Sequence, residues 1–235
     1  METPFLTARW SNLAILSYDV DPSLLNDHLP PDCALDTIDG RAFVSLVAFD
    51  FLDTRVLDVA WPGFVNFPEI NLRYYVRGPG GRRGVAFIRE FVPQKIVAAI
   101  ALAVYNEPYL AVPMRSEIER ANGRIVTHHT VRFCGRDHSI RVSGSTQTIR
   151  PADGSTEHFF KEHSWGYGLT RDRRLITYEV RHPVWKIYPD ARIEALDWNF
   201  GAIYGRKFEF LGAATPFSIA FAVGSEVAVF PKGIT

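Results

Sequence analysis

Short apolar segments separated by turn signals dominate this chain, and they predict strands far more often than helices. Residues 67–76 and 85–91 flank RGPGGRRG, whose glycines, proline and arginines suit an exposed turn between antiparallel strands. Asp39-Gly40 lies between CALDTI and RAFVSLVAF and predicts a second hairpin. Further strands are predicted at 13–20, 124–133, 138–148, 176–181, 192–198, 208–211 and 218–230.

Two segments depart from the strand pattern. Asp21 followed by Pro22 is typical of a helix start and predicts a short helix to about residue 28. Residues 95–105, KIVAAIALAVY, are apolar on every side, so a helix here has to be covered all round. The predicted fold class is α+β, mainly β: an antiparallel β-barrel or sandwich with one buried helix and a few short helices.

No linker, repeat or change of composition divides the chain, so residues 1–235 are predicted to form a single domain. With 47% apolar residues the chain has material for a core, and 26 basic residues balance 26 acidic ones. Balanced charge argues against a nucleic-acid partner or a charged membrane surface. The longest apolar helical segment is too short to cross a bilayer, and the first twelve residues lack a signal-peptide pattern. We therefore expect a cytoplasmic protein.

The other composition signals are weaker. Cys33 and Cys134 lie far apart in no metal or redox spacing, so we expect two free thiols. The five tryptophans are either core residues or anchors of a homo-oligomer interface, and the sequence leaves both open. No metal and no cofactor is expected, because P-loop, dinucleotide-binding, zinc-protease and nucleophile-elbow motifs are all missing from the sequence.

The segment PEINLRYYV carries the most chemical information. Because strand side chains alternate between faces, Glu69, Asn71, Arg73 and Tyr75 share one face and apolar residues occupy the other. Either this is a half-buried strand whose polar side meets water, or the polar side is the wall of a pocket. In a pocket, Arg73 would bind a carboxylate and Glu69, roughly 13 Å away along the strand, would act as acid or base.

Histidines give a second, weaker set of candidates. His128 and His129 are adjacent on a strand and point to opposite faces, which excludes a metal site built by these two alone. The segment EHFFKEH is predicted to be a solvated helix surface. His182 precedes Pro183 in an apolar neighbourhood, where both a packed and a catalytic histidine remain open.

Five segments together resemble one bacterial family of unassigned function, the YqjF-like proteins of the acetoacetate decarboxylase-like superfamily. They are WSNLAILSYDVDPSLLNDHLPPDCALDTIDGRAFVSLVAFDF, FPEINLRYYVRG, HFFKEHSWGYG, HPVW and PFSIAFAVGSEVAVF. The resemblance covers nearly the whole chain. It implies a curved antiparallel barrel crossed by a helix and enclosing a ligand cavity, with Glu69 at the position of a pocket acid.

The resemblance does not extend to the catalytic lysine. True acetoacetate decarboxylases follow their helix with G-x-P-K-K, in which the first lysine forms a Schiff base. This chain has EPYLAVPMRSE there, which places Met114 at the nucleophile position and Arg115 at that of the helper cation. Methionine cannot form an imine, although Arg115 can still bind a carboxylate or polarise a carbonyl. The expected activity is therefore lysine-independent.

The sequence thus predicts a protein that binds a small organic acid or carbonyl compound in a barrel cavity. If it is an enzyme, we expect proton-transfer or lyase chemistry that uses Glu69, Arg73 and Arg115. Ligand contacts are predicted for Asn71, Tyr75, Met114, Glu162 and His182. The alternative is a non-catalytic small-molecule carrier or sensor on the same fold.

Overall fold

Strands make up most of the regular structure in the computed structural model, which describes residues 2–161 and 163–235. In chain order the strands are β1 (Leu6–Val20), β2 (Ala34–Leu35), β3 (Ala42–Val56), β4 (Phe67–Arg77), β5 (Arg83–Val92), β6 (Tyr109–Ala111), β7 (Met114–Ala121), β8 (Arg124–Phe133), β9 (Arg136–Ser145), β10 (Trp165–Leu169), β11 (Leu175–Arg181), β12 (Arg192–Asp197), β13 (Ser218–Val229) and β14 (Gly233–Ile234). The α-helices are α1 (Lys95–Tyr105), α2 (Thr156–Lys161) and α3 (Phe200–Tyr204), and 3-10 helices span Pro22–His28, Pro79–Gly81 and Arg206–Gly212.

The large sheet curves until its pairings close on themselves. Strands β4, β3, β1, β13, β11, β10 and β5 pair in that order, and β5 pairs again with β4. Two links are short, because β11–β13 and β10–β5 each consist of two residue pairs. The β10–β5 and β5–β6 pairings are parallel, so the sheet is mixed rather than purely antiparallel. The result is a strongly curved sheet around a hollow, not a regular barrel.

Strand β4 is buried on both of its faces. Ile70, Leu72 and Tyr74 belong to the main core, together with Ile140 and Val142 of the second sheet. That sheet has the order β12-β9-β8-β7 and packs on the outside of the curved sheet. The polar residues of β4 point the other way, into the hollow. Because packed apolar residues fix the outer face, the alternation of a strand leaves the polar face inside.

Helix α1 has the bounds that the sequence predicts, but the expectation that it is buried all round is wrong. Of its eleven residues only Ala98 and Tyr105 are buried, and Ile96 is 49% exposed. The helix lies across one side of the hollow, with Val97 and Ala101 lining it. Ile96 and Ile100 line the hollow as well but are partly exposed, and Leu102, which is not among the described lining residues, is 45% exposed.

Two other predictions need correction. Asp39-Gly40 does form a turn, with both residues at positive φ, but CALDTI pairs with RAFVSLVAF only through the single bridge Ile38–Arg41. Its strand β2 pairs instead with β4. Residues 208–211, predicted as a strand, lie in the 3-10 helix Arg206–Gly212. By contrast the hairpin β4–β5 and the helix start at Asp21, whose side chain accepts a hydrogen bond from the Ser23 amide, are confirmed.

Cys33 and Cys134 are both free thiols, as expected. In the described part of the chain, no helix is long and apolar enough to cross a membrane.

Candidate functional site

The hollow of the curved sheet is a cavity of about 340 Å³. All seven strands of the ring contribute to its lining, and α1 and α2 add residues at its sides. Most of the wall is apolar and aromatic, including Trp10, Phe49, Phe51 and Trp185. Its volume lies within the range of small-molecule sites, which are typically apolar with a few convergent polar groups.

Glu69 is the most constrained polar group in this wall. It is 2% exposed. Asn71 Nδ2 donates to its Oε1 at 2.9 Å, and Tyr109 Oη donates to its Oε2 at 2.8 Å. Burial raises the pKa of Glu69 to about 7, although these hydrogen bonds and the charge of Arg73 act in the opposite direction. A carboxyl group with a pKa near 7 can both accept and release a proton at neutral pH.

Two more buried carboxyl groups line the same region. Glu90 lies on β5 directly opposite Asn71, and burial together with the nearby Glu69 and Glu107 raises its pKa well above the ordinary value. Burial also raises the pKa of Glu107 to about 8, although Tyr178 Oη donates to its Oε1 at 2.9 Å. Three carboxyl groups that interact in this way cannot all ionise cheaply, so Glu107 is mostly protonated at neutral pH and burial favours the protonated form of Glu90. We call Glu69, Glu90 and Glu107 the acid end of the cavity.

Arg73 lies on the same face of β4 and is 8% exposed. Its Nη2 donates to the carbonyl oxygen of Phe160 in α2 at 2.9 Å. Its Nε has no hydrogen-bond partner among the described residues. A buried guanidinium that keeps an unused donor is suited to bind a carboxylate or carbonyl oxygen of a ligand.

The segment around α2 is buried, so its interpretation as a solvated helix surface is wrong. Phe160, Lys161 and His163 are at most 8% exposed, and Lys161 and His163 line the cavity. Neither residue is among the site residues that the sequence predicts. The paired phenylalanines of HFFKEH were the available signal, because two adjacent aromatic residues are unusual on a solvated surface. We call Arg73, Lys161 and His163 the basic end of the cavity.

Asp36 holds this segment against the sheet. Its side chain is fully buried and accepts from His163 Nε2 at 3.0 Å, from Arg77 Nε at 2.8 Å and from Arg83 Nε at 2.5 Å. Despite burial, these partners lower the pKa of Asp36 to about 2. Burial lowers the pKa of His163 to about 4, so the ring is neutral at pH 7. The anchor is therefore a neutral imidazole on an ionised carboxylate.

The predicted site residues are only partly brought together. Glu69, Asn71, Arg73 and His182 line the cavity, and His182 stacks on Trp185 with 4.3 Å between ring centroids. Tyr75 is buried but is not among the described residues that line the cavity. Its hydroxyl lies 2.6 Å from Ser45 Oγ, and its ring packs on Phe160.

Met114, Arg115 and Glu162 stand apart from this group. Met114 packs against the main core on the other side of the sheet, and Arg115 is exposed on β7. Neither is among the described residues that line the cavity, because β7 belongs to the second sheet. Glu162 lies outside the described residues.

Glu69 was predicted from the sequence, and a second member of the acid end could have been inferred from it. The predicted β4–β5 hairpin places Glu90 opposite Asn71, so its register would have pointed to Glu90. Glu107 follows α1 and joins the cavity only through the three-dimensional fold. Within residues 2–161 and 163–235, no group of three or more His, Cys, Asp or Glu side chains is arranged to hold a metal ion.

Solved structures with the same fold include several enzymes. The enduracididine biosynthesis enzyme MppR with bound HEPES buffer superimposes with a TM-score of 0.67 at 15% identity, covering 99% of this chain and 88% of that one. MppR complexed with pyruvate gives 0.65 at 16% identity, covering 100% and 91%. Acetoacetate decarboxylase from Legionella pneumophila gives 0.64 at 15% identity, covering 100% and 88%. At these identities the similarity establishes the fold alone, which is acetoacetate decarboxylase-like.

Sequence similarity is more specific. The uncharacterized protein YqjF of Bacillus subtilis (strain 168) is 33% identical over 170 residues, which is 72% of this chain and 65% of that protein. The chain thus aligns with less than two thirds of the length of this relative. Residues 7–226 match the model of the DUF2071 family, described as an uncharacterized conserved protein. The chain therefore belongs to the DUF2071 family, is similar to YqjF, and has an acetoacetate decarboxylase-like fold.

Proposed function

We propose that this protein binds a small organic acid or carbonyl compound in the cavity and catalyses proton transfer beside its carbonyl group. One observation carries the proposal: Glu69 and Arg73, on one face of β4, are both buried and both line a mainly apolar cavity of about 340 Å³. An apolar wall holds the carbon skeleton of the ligand, and the two polar groups orient it.

Arg73 is the anchor for the carboxylate or carbonyl oxygen. One of its nitrogens is fixed by Phe160 and its Nε is unused among the described residues, so a ligand oxygen gains a charge-assisted hydrogen bond from a group already in place. Its charge also reaches Glu69, since it lowers the pKa of that carboxyl group. It can therefore offset negative charge that develops on the ligand.

Glu69 is the base. In its ionised form it removes a proton from the carbon next to the carbonyl group, and the electron pair of that C–H bond moves to the carbonyl oxygen to give an enolate. Return of the proton from Glu69 to carbon restores the keto form. A pKa of about 7 keeps a substantial ionised fraction at neutral pH while leaving the carboxylate basic enough for this step.

Hydrogen–deuterium exchange at the α-carbon tests this function. We expect the protein to accelerate exchange of the methyl protons of pyruvate in D2O, measured by proton NMR, because MppR has been crystallised with pyruvate in the same fold. Glu69→Gln should abolish the exchange and leave affinity within a few-fold, while Glu117→Gln on exposed β7 serves as the matched control.

Two outcomes would contradict this function. Binding of keto acids without any exchange would favour the alternative, a non-catalytic carrier or sensor. Equal loss of affinity and exchange in Glu69→Gln would assign Glu69 to binding rather than to proton transfer.

An amine route is the competing chemistry, because Lys161 is buried and lines the cavity. Position 114, which resembles the nucleophile position of the decarboxylases, is methionine, so we expect no imine. Borohydride reduction in the presence of pyruvate should leave the mass of the protein unchanged. A reduced adduct on Lys161 would replace the carboxylate mechanism with amine catalysis.

A further inference from the structure

The two ends of the cavity lack opposite kinds of hydrogen-bond partner. At the acid end, Asn71 Oδ1 and Glu90 Oε1 are buried and have no partner among the described residues. At the basic end, the group without such a partner is Arg73 Nε, which is a donor. Glu90 and Asn71 are 1% and 2% exposed. Buried polar atoms are rarely left unpaired, so these atoms indicate what the missing occupant supplies.

Asn71 Oδ1 needs a hydrogen-bond donor, and Glu90 Oε1 needs one as well once its carboxyl group is ionised. Asn71 already uses its amide nitrogen to bind Glu69, which leaves its carbonyl oxygen as an acceptor. A carboxylic acid or ketone group on the ligand has few donors to offer there. An ammonium group has three N–H donors, and its positive charge compensates the negative charge of a buried carboxylate.

The aromatic residues around the acid end suit a cation as well. Tyr105 and Tyr178 pack with 4.7 Å between ring centroids, and Tyr178 also binds Glu107. Tyr109 binds Glu69, and all three tyrosines line the cavity. Aromatic faces together with carboxylates are a recurring environment for organic ammonium groups.

We propose that the ligand is dipolar, with a primary amine held by Glu90 and Asn71 at the acid end and a carboxylate held by Arg73 at the basic end. This inference rests on the proposed function and narrows its ligand class from organic acids to amino-substituted acids. It also gives Glu90 a role in specificity that is separate from proton transfer by Glu69.

Binding of an ammonium group at this site releases a proton. The groups that face it are Glu69 on β4, Glu90 on β5, Glu107 after α1, Tyr105 on α1, Tyr109 on β6 and Tyr178 on β11, with Arg73 and Lys161 at the other end. Burial and the neighbouring carboxyl groups raise the pKa of Glu107 to about 8 and that of Glu90 well above its ordinary value, so the unliganded site favours the protonated forms. The ammonium group favours the ionised form of Glu90, so amine affinity rises with pH.

Calorimetric titration with three six-carbon probes tests the inference. The probes are 6-aminohexanoate, hexanoate and hexylamine, each added to the full chain at pH 6.5 and pH 8.5. We expect 6-aminohexanoate to bind at least tenfold more tightly than hexanoate at pH 8.5, and its advantage to shrink at pH 6.5. Glu90→Gln, which keeps shape and removes the charge, should weaken both amines about tenfold and leave hexanoate unchanged. Glu117→Gln should change none of the three.

The outcomes separate this inference from the function on which it rests. Hexanoate binding as tightly as 6-aminohexanoate, or Glu90→Gln weakening all probes equally, would overturn the dipolar ligand and leave an organic-acid site. Binding of none of the three probes would overturn both.

Discussion

Two strands of this protein have similar polar alternation and opposite surroundings. Strand β4 places Glu69, Asn71 and Arg73 on one face, and all are buried around a cavity. Strand β7 likewise alternates Arg115 and Glu117 on one face, and both are exposed. The alternation assigns side chains to a common face in each strand, but only packing decides whether that face meets water.

The difference arises from what covers each strand. The apolar face of β4 packs on the second sheet, and its polar face is closed in by the curved sheet and by α2. On β7 only the face with Met114 and Ser116 packs towards the curved sheet, and Arg115 and Glu117 on the opposite face are exposed. Burial therefore shifts the pKa of a carboxyl group on this face of β4, whereas a charged group on β7 is solvated and contributes little to stability.

The largest loss of stability is expected at Asp36, which binds His163 and holds the segment after α2 over the polar face of β4. Asp36→Asn should lower the free energy of unfolding by about 3 kcal/mol, because it leaves Arg77, Arg83 and His163 without their buried anion. Urea denaturation measures this loss. In Asp137→Asn, which removes an ion pair between Arg132 and the 70% exposed Asp137, the loss should stay below about 1 kcal/mol. Equal effects would show that α2 is not held by this anchor.

The second substitution, Glu107→Gln, should raise the free energy of unfolding instead of lowering it. Burial raises the pKa of Glu107 to about 8 in the folded protein, so between the ordinary value of 4.5 and about 8 the folded state binds more protons than the unfolded state. Its contribution to stability therefore falls as pH rises through this window. Glu107→Gln should remove that fall and raise the free energy of unfolding at pH 8.5 by on the order of 3 kcal/mol.

The control for this prediction lies on β7. Glu117→Gln should leave the free energy of unfolding unchanged to within about 0.5 kcal/mol across the same pH range. A wild-type protein whose stability does not fall between pH 5 and pH 8.5, measured by urea denaturation, would contradict the buried acid end.

The smallest expected change in stability comes from replacing Arg73, and Arg115 on β7 provides the comparison. Arg73→Met should cost about 2 kcal/mol of stability, because the carbonyl oxygen of Phe160 loses its 2.9 Å donor and keeps only the Tyr75 hydroxyl at 3.5 Å. It should also abolish binding of organic acids. Arg115→Met should cost less than about 0.5 kcal/mol and leave binding unchanged. Thermal denaturation with and without hexanoate measures both. A loss of binding in Arg115→Met would return that residue to the site.

Much of the fold follows from local sequence signals, whereas the site follows only in part. The hairpin β4–β5 and the bounds of α1 are predicted because alternation, turn residues and helical composition act over a few neighbours. The expected burial of α1 is wrong because a helix with two apolar faces can lie between a cavity and solvent. Which elements cover a helix depends on distant parts of the chain.

The same limit applies to the site residues. The shared face of Glu69, Asn71 and Arg73 is a local property of one strand, so the sequence predicts it. Glu107 and Lys161 join that face from segments far along the chain, and no spacing in the sequence signals their approach. Arg115 was placed by family resemblance, and the second sheet carries it away from the cavity.

The central claim is that the charged face of β4 lines a ligand cavity and does not face bulk solvent. Carbon-13 NMR of glutamate side-chain carboxyl groups, assigned with Glu69→Gln, tests it most directly through a pH titration with and without hexanoate. The Glu69 carboxyl should titrate with a pKa of about 7, and its resonance should move when hexanoate binds. A Glu69 carboxyl that titrates near 4.5 and does not respond to hexanoate would contradict the account.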